Sequence, residues 1–400
     1  MAIVKALVKK ELLSWARKSA GFSIAVAAKK VPVQEAILEA WETTNDKKPT
    51  IAQLRKLSEI YKRPLAIFYL SEPPMDFQPM RDLRRRGNER ETSPELHLEI
   101  RQAHERREAA IELFSMIGEE IPALPQSQRA SLSEEAEEVG ARIRKILGIQ
   151  FSEQITWTDK YKPFNNWRAA LEEKGVLVSQ ITEVDSDEVA GFSLSYPKLP
   201  VICVNIKDGP RARTFTLLHE FVHLLLHQHS LCNLLAWDKG RPQDAEKIET
   251  FCNRVAGAAL IPKRFLLYEE LVLRHDTSPE WEDSAIETLA YKRYGTSREV
   301  LLRRLLIFGK TTKEFYEYKR QQYRTEYLDS LRDRKPGFVP PPRMAVAREG
   351  KPFIGLVLRN YYEKKITLSN LSGLLQVRLK HLPRIEAEVM GRVISRVKVS

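Results

Sequence analysis

Apolar positions in the first 70 residues recur at helical spacing in short runs separated by turn signals. Ser23 follows Gly21-Phe22 and opens SIAVAAKK. A turn at VPV leads into QEAILEAWETT. Pro49-Thr50 then open TIAQLRKLSEIYKR, where Ile51, Leu54, Leu57 and Ile60-Tyr61 share one face. SEPPMDFQP (71–79) is a Pro-rich exit, and RDLRRRG after it reads as an exposed basic linker. Residues 93–148 are charged with periodic apolar positions, which predicts solvated, connective helices.

The pattern changes near residue 155. VLVSQI (176–181) is a short β-type run, and VAGFSLSY and VICVN flank the turn PKLP as a hairpin. TFTLLHEFVHLLLHQH (214–229) has no polar face and predicts a buried helix. DAEKIETFCNRVAGAAL (244–260) is amphipathic and closes at Pro262. AIETLAYKRYGTSREVLLRRLL (285–306) reads as two helices around the turn GTS. PGFVPPP (336–342) sets off a tail in which TLSNLSGLLQVRLKHLPRIEAEV (367–389) has the spacing of another small helical unit. The expected architecture is multidomain and mainly α, with a small antiparallel sheet in an α+β core. Its divisions are a helical domain (1–75), a basic linker with connective helices (76–150), the core (151–280), a helix–turn–helix-like segment (281–335) and a basic C-terminal region (336–400).

Composition narrows the class. The chain has 400 residues, 43% hydrophobic and 30% charged, which suits a soluble globular protein. No apolar run approaches the roughly 18 residues that a membrane span needs, and the N-terminus lacks the apolar block of a signal peptide. Cys203, Cys232 and Cys252 show no paired spacing, so a reducing cytoplasm fits better than a disulfide framework. Of the net charge of +12, residues 331–400 supply +10, with fifteen Lys or Arg against five Asp or Glu. A polyanion such as DNA is a candidate partner for that tail. Arg378, Lys380 and Arg384 are its candidate phosphate contacts.

The buried run also carries chemistry. His219 and His223 stand four apart, so on a helix both imidazoles project from one face and can share a cation at the roughly 2 Å that zinc prefers. Glu220 is angled beside such a metal, where it can take a proton from water and later hand it to a leaving amine. Burying His, Glu and His together is costly unless something satisfies them, and a metal does so. Four residues compete to be the third ligand. His229 sits at the position used in HExxHxxGxxH proteases, but that geometry needs Gly where this chain has Leu226, inside a Leu run that should prolong the helix. His227 lies a full turn too far along. Glu249 shares a face of the second helix with Asn253, which could orient a histidine from behind. Glu246 is its rival on the same helix.

GFSL…PVICVN, RTFTLLHEFVHLLLH and IETFCNRVAGAALIP together resemble the ImmA/IrrE family of zinc metallopeptidases, over about residues 160–265. The resemblance implies a thermolysin-like, zincin-type active site: zinc on His219, His223 and Glu249, with Glu220 as the base. It also implies a protein substrate, since characterised members cut helix–turn–helix repressors. The segment 285–306 looks like the piece that follows the peptidase in IrrE-type members. The first 70 residues resemble a phage-repressor-type (Xre-like) helix–turn–helix domain. Its expected recognition helix, QEAILEAWE, carries Glu35, Glu39 and Glu42 without a Lys or Arg, which disfavours DNA. Gln34 could still touch a base or phosphate, with Lys29 and Lys30 nearby. The domain thus serves either DNA or docking of a protein, with dimerisation a further role. Two functions are carried forward: a zinc endopeptidase of a regulatory system, or a DNA-binding, antitoxin-like regulator whose zinc fold is a sensor or scaffold.

Overall fold

The computed structural model describes residues 4–74, 92–124, 126–227, 230–232, 243–275, 279–332 and 339–397. RDLRRRG and His229 lie outside them. The chain divides into two compact units, residues 1–81 with 88–105 and residues 82–87 with 106–400.

The first unit is helical: α1 (Lys10–Ser19), α2 (Ile24–Lys30), α3 (Glu35–Thr43), α4 (Ile51–Tyr61) and the start of α5 (Pro94–Met116). The starts of α2 and α4 have a local chemical cause. The Ser23 hydroxyl accepts the Val26 N–H at the head of α2, and Thr50 and Gln53 form a reciprocal capping box on α4. Leu13, Ala16, Ala27, Leu38, Trp41, Leu54, Leu57 and Phe68 close one core. The Arg17 guanidinium donates to both carboxylate oxygens of Glu42 at 2.8 Å, a buried fork joining α1 to α3. Glu42 is therefore turned inward, and the outward acidic character of α3 rests on Glu35 and Glu39.

The second unit contains α6 (Ala136–Leu147), α7 (Phe151–Gln154), α8 (Lys162–Glu173), β1 (Leu177–Ile181), β2 (Gly191–Leu194), β3 (Val201–Asn205), α9 (Pro210–Leu225), β4 (Ser230–Cys232) and α10 (Gln243–Leu260). Then come α11 (Lys263–Leu266), α12 (Glu270–Arg274), α13 (Asp283–Glu287), a π-helical turn (Thr288–Arg293), α14 (Arg298–Ile307) and α15 (Lys313–Arg332). Four more helices close it: α16 (Pro341–Glu349), α17 (Lys351–Tyr362), α18 (Leu368–Leu375) and α19 (Leu382–Val397).

The sheet is mixed, which corrects the expected antiparallel one. Its order is β1-β3-β2-β4, with β1 parallel to β3, and β2 antiparallel to both β3 and β4. The β2–β3 hairpin was legible because hairpin pairing is local. The parallel pair has no local signature: residues 182–190 carry the chain past the place where β3 later inserts. Every residue of β1, β2 and β3 is buried, as strands covered on both faces require. Helix α9 packs on β2 and β3, α8 on β1, and α10 on α9 and α6.

A stretch read as solvated proves to be core, and so does an arginine of α14. Helix α6 buries Val139, Ile143 and Leu147 against α10. A Cβ on Gly140 would lie 2.8 Å from Ala258 Cβ, so the two backbones meet there. Arg304, one of the two adjacent arginines of α14, is 2% exposed. The C-terminal end of α10 explains both. Its last carbonyls are buried and need donors: Arg144 supplies Ala259, Gln154 supplies Leu260 and Arg304 supplies Ile261, at 2.7 to 3.0 Å. Of the charges in those helices, Arg144 and Arg304 belong to the interior.

Candidate metal centre

Two facing helices build the site. Helix α9 ends at Leu225, and His227 takes left-handed backbone (φ 56°). The Leu run thus stops earlier than expected, and the chain turns at a histidine rather than a glycine. Within the helix, His219, Glu220 and His223 are each fully buried. The two imidazoles converge: His219 Nε2 and His223 Nε2 are 3.1 Å apart. From α10, Glu249 sends one carboxylate oxygen to 3.4 Å from His219 Nε2 and the other to 3.5 Å from His223 Nε2.

These separations test the fit to a metal directly. Ligands about 2.0–2.1 Å from a tetrahedral ion stand roughly 3.3 Å from one another. The imidazole–imidazole and imidazole–carboxylate separations are of that size, and each of the three residues offers one donor atom within 4.8 Å of the others. Asn253 fixes the protonation of one imidazole. Its Nδ2 donates to the Glu249 carbonyl at 2.6 Å, so its Oδ1 must accept from His219 Nδ1–H at 3.1 Å. His219 Nε2 is left with a lone pair pointing at the centre.

Burial by itself would raise the Glu249 carboxyl, but hydrogen bonds from His219 and His223 and the positive charge they carry when protonated outweigh it and hold it well below the usual carboxylate range. Cys252 is pushed up, first by burial and then by the negative charges of Glu249 and Glu220. It stays a neutral thiol and offers no thiolate ligand.

The fold brings together His219, His223, Glu249 and Asn253, with Glu220 adjoining on α9. Glu246 is exposed on α10 and takes no part. A residue that sequence reading passed over is Gly191, the first of β2. A Cβ there would stand 2.7 Å from Thr216 Cγ2, 2.8 Å from the Cys203 carbonyl and 3.5 Å from Glu220 Cγ. Only a glycine lets β2 approach α9 this closely at the level of Glu220. The signal was present: a glycine opening the apolar run GFSL.

The edges of the hairpin, where an extended substrate could add as a strand, are already occupied. β3 is flanked by β1 and β2, and the other edge of β2 is paired by β4, with Gly191 opposite Cys232 and Ser193 opposite Ser230. The hairpin therefore offers no vacant edge along its paired length. Of the other candidate residues, Gln34 begins α3 and is exposed, as are Lys29 and Lys30. Arg378, Lys380 and Arg384 are exposed on and after the turn following α18. No helix among the described residues is long and apolar enough to cross a membrane.

A search of curated proteins finds no match to this chain. Residues 171–306, about a third of the chain, which hold the sheet, both helices of the cluster and the helices behind them, match the Peptidase_M78 family model, the IrrE N-terminal-like domain.

Proposed function

We propose that the protein is a zinc-dependent endopeptidase, with His219, His223 and Glu249 as ligands and Glu220 as general base and acid. The observation that carries this reading is the buried His–His–Glu cluster, whose contacts of 3.1 to 3.5 Å are near tetrahedral ligand spacing, with an acid next to the first histidine. A zinc ion held there would supply Lewis acidity to a water and to the scissile carbonyl. The chain supplies the rest. Glu220 takes the proton of the attacking water and passes it to the departing amine, in a site dry enough to strengthen both transfers. Asn253 keeps His219 in the tautomer that can ligate. A purely structural site would need only ligands, so the buried Glu220 favours catalysis over a zinc fold kept as a scaffold.

The substrate class is a protein, and a helix–turn–helix repressor or antitoxin-type protein fits a peptidase carrying an N-terminal helical unit. We assign that unit to docking of the protein substrate, because the outward face of α3 presents Glu35, Glu39 and Ile37 rather than cations. The test is capture with full-length Glu220→Gln. It should keep zinc, lose cleavage, and retain a protein that the parent cuts. Retained cleavage would remove Glu220 from its role. Loss of zinc together with cleavage would make it a ligand instead.

A further inference from the structure

The C-terminal helices hold a second candidate interface, independent of the metal centre. Helix α17 packs on both α18 and α19, and Phe353, Val357, Leu371, Leu375, Ile385 and Val389 are buried among them. The junction between α18 and α19 is sharply specified. Thr367 and Asn370 cap the head of α18 reciprocally. Gln376 then takes left-handed backbone (φ 49°), and the Val377 N–H donates to the Ser372 carbonyl while the Ser372 hydroxyl donates back to the Val377 carbonyl. After Arg378, one 3-10 turn (Leu379–His381) leads into α19. A short helix, a tight turn and a second helix braced by a third are the parts of a helix–turn–helix.

Its charge is arranged in two groups. Lys364 and Lys365 precede α18, and Arg378, Lys380 and Arg384 follow it. All five are exposed, and among the described residues none is paired with a carboxylate. The acids of α19 are engaged elsewhere: Glu386 accepts from the Tyr362 hydroxyl at 2.5 Å, and Glu388 meets Arg343 at 3.7 Å. An eight-residue helix is about 12 Å long, close to the width of the DNA major groove. The two cation groups therefore sit at the ends of a helix that could bridge two phosphate strands. A-form RNA has a deep, narrow major groove that admits no helix.

We propose that residues 351–397 form a duplex-DNA-binding helix–turn–helix, with the head of α19 toward the major groove and the five cations on flanking phosphates. The site does not depend on the peptidase reading, and its test leaves the metal centre intact. The full chain is titrated with a mixed-sequence 30-base-pair DNA duplex across a range of salt concentrations. Replacing Arg378, Lys380 and Arg384 together by Ala should flatten the log–log salt slope by about 0.9 for each phosphate no longer neutralised, and weaken binding tenfold or more at low salt. The Lys364→Ala, Lys365→Ala pair should flatten it by a smaller step of the same kind. Lys29→Ala with Lys30→Ala should leave it unchanged. An unchanged slope in both C-terminal variants, with their helicity retained, overturns the proposal. So does equal affinity of the parent for duplex DNA, single-stranded RNA and heparin, which would mark a general polyanion surface.

Discussion

Two imidazole nitrogens 3.1 Å apart, with a carboxylate against both, form a set of lone pairs aimed at one point. Hydrogen bonds can join the imidazoles to each other and to the carboxylate, and a shared cation can replace them; metal content separates the two. Purified protein should carry about one equivalent of zinc, bound by one such set of ligands. Elemental analysis should show it lost in His223→Ala and Glu249→Ala and kept in Glu220→Gln and in Glu246→Ala. Asn253→Ala should leave the site formed but weaken zinc by about 10- to 100-fold, since the outer partner sets ligand orientation and tautomer. Competition with a chromogenic chelator measures it, and an undiminished affinity would remove Asn253 from that role. At this scale much was legible. A histidine pair at i, i+4 fixes a face, and Glu249 with Asn253 at the same spacing supplies its complement. Gly191 was visible only as a glycine opening an apolar run, because the demand for a missing side chain comes from α9, further along the chain.

Helices and strands were legible where their signals are local. The caps at Ser23, Thr50 and Thr367 and the β2–β3 hairpin fall in this class. The parallel β1–β3 pair does not, nor does the burial of α6, whose glutamates and arginines imitate a solvated helix. What distinguishes α6 is Gly140 against Ala258 and Arg144 under the end of α10, and both are facts about a partner helix. Two destabilisations follow. Gly140→Val should cost roughly 1–3 kcal/mol by overpacking two helices that touch at their backbones. Arg304→Met should cost roughly 1–3 kcal/mol, because it uncovers the Ile261 carbonyl and gives up the pair with Glu137, whose oxygen lies 2.6 Å from the guanidinium. Denaturant unfolding reads both. Arg303→Met, which gives up the partly exposed bonds to Glu299 and Tyr316, should cost less.

The whole molecule comprises two units with separate cores, and a metal in one should stabilise that one alone. Calorimetry of the full chain should show two transitions. Chelation should lower only the second unit's, by an amount set by RT ln(1 + [Zn]/Kd), about 4 kcal/mol for zinc at a thousand times Kd. A shift of both would mean that the units melt as one. The division was partly visible in the Pro-rich stretch after residue 70. The membership of residues 339–397 in the second unit was not. The sequence offers a basic tail behind a proline run, whereas the fold sets α16 against β1 and pairs Arg106 with Glu349 at 2.6 Å. Contacts between residues more than two hundred positions apart leave no mark in periodicity.

The strand β4 has a kinetic meaning. Only four residues separate it from α9, so it is presented to the edge of β2 at the effective concentration of a short tether, on the order of millimolar. A polypeptide that enters by strand addition beside Gly191 has to win that edge from the protein's own chain. Short free peptides compete poorly against such a tenant and should saturate only above about a millimolar. A protein held at a second point gains its own local concentration and is exempt. The resulting selectivity would be one of tethering, set by what keeps the substrate nearby rather than by the side chains flanking the scissile bond.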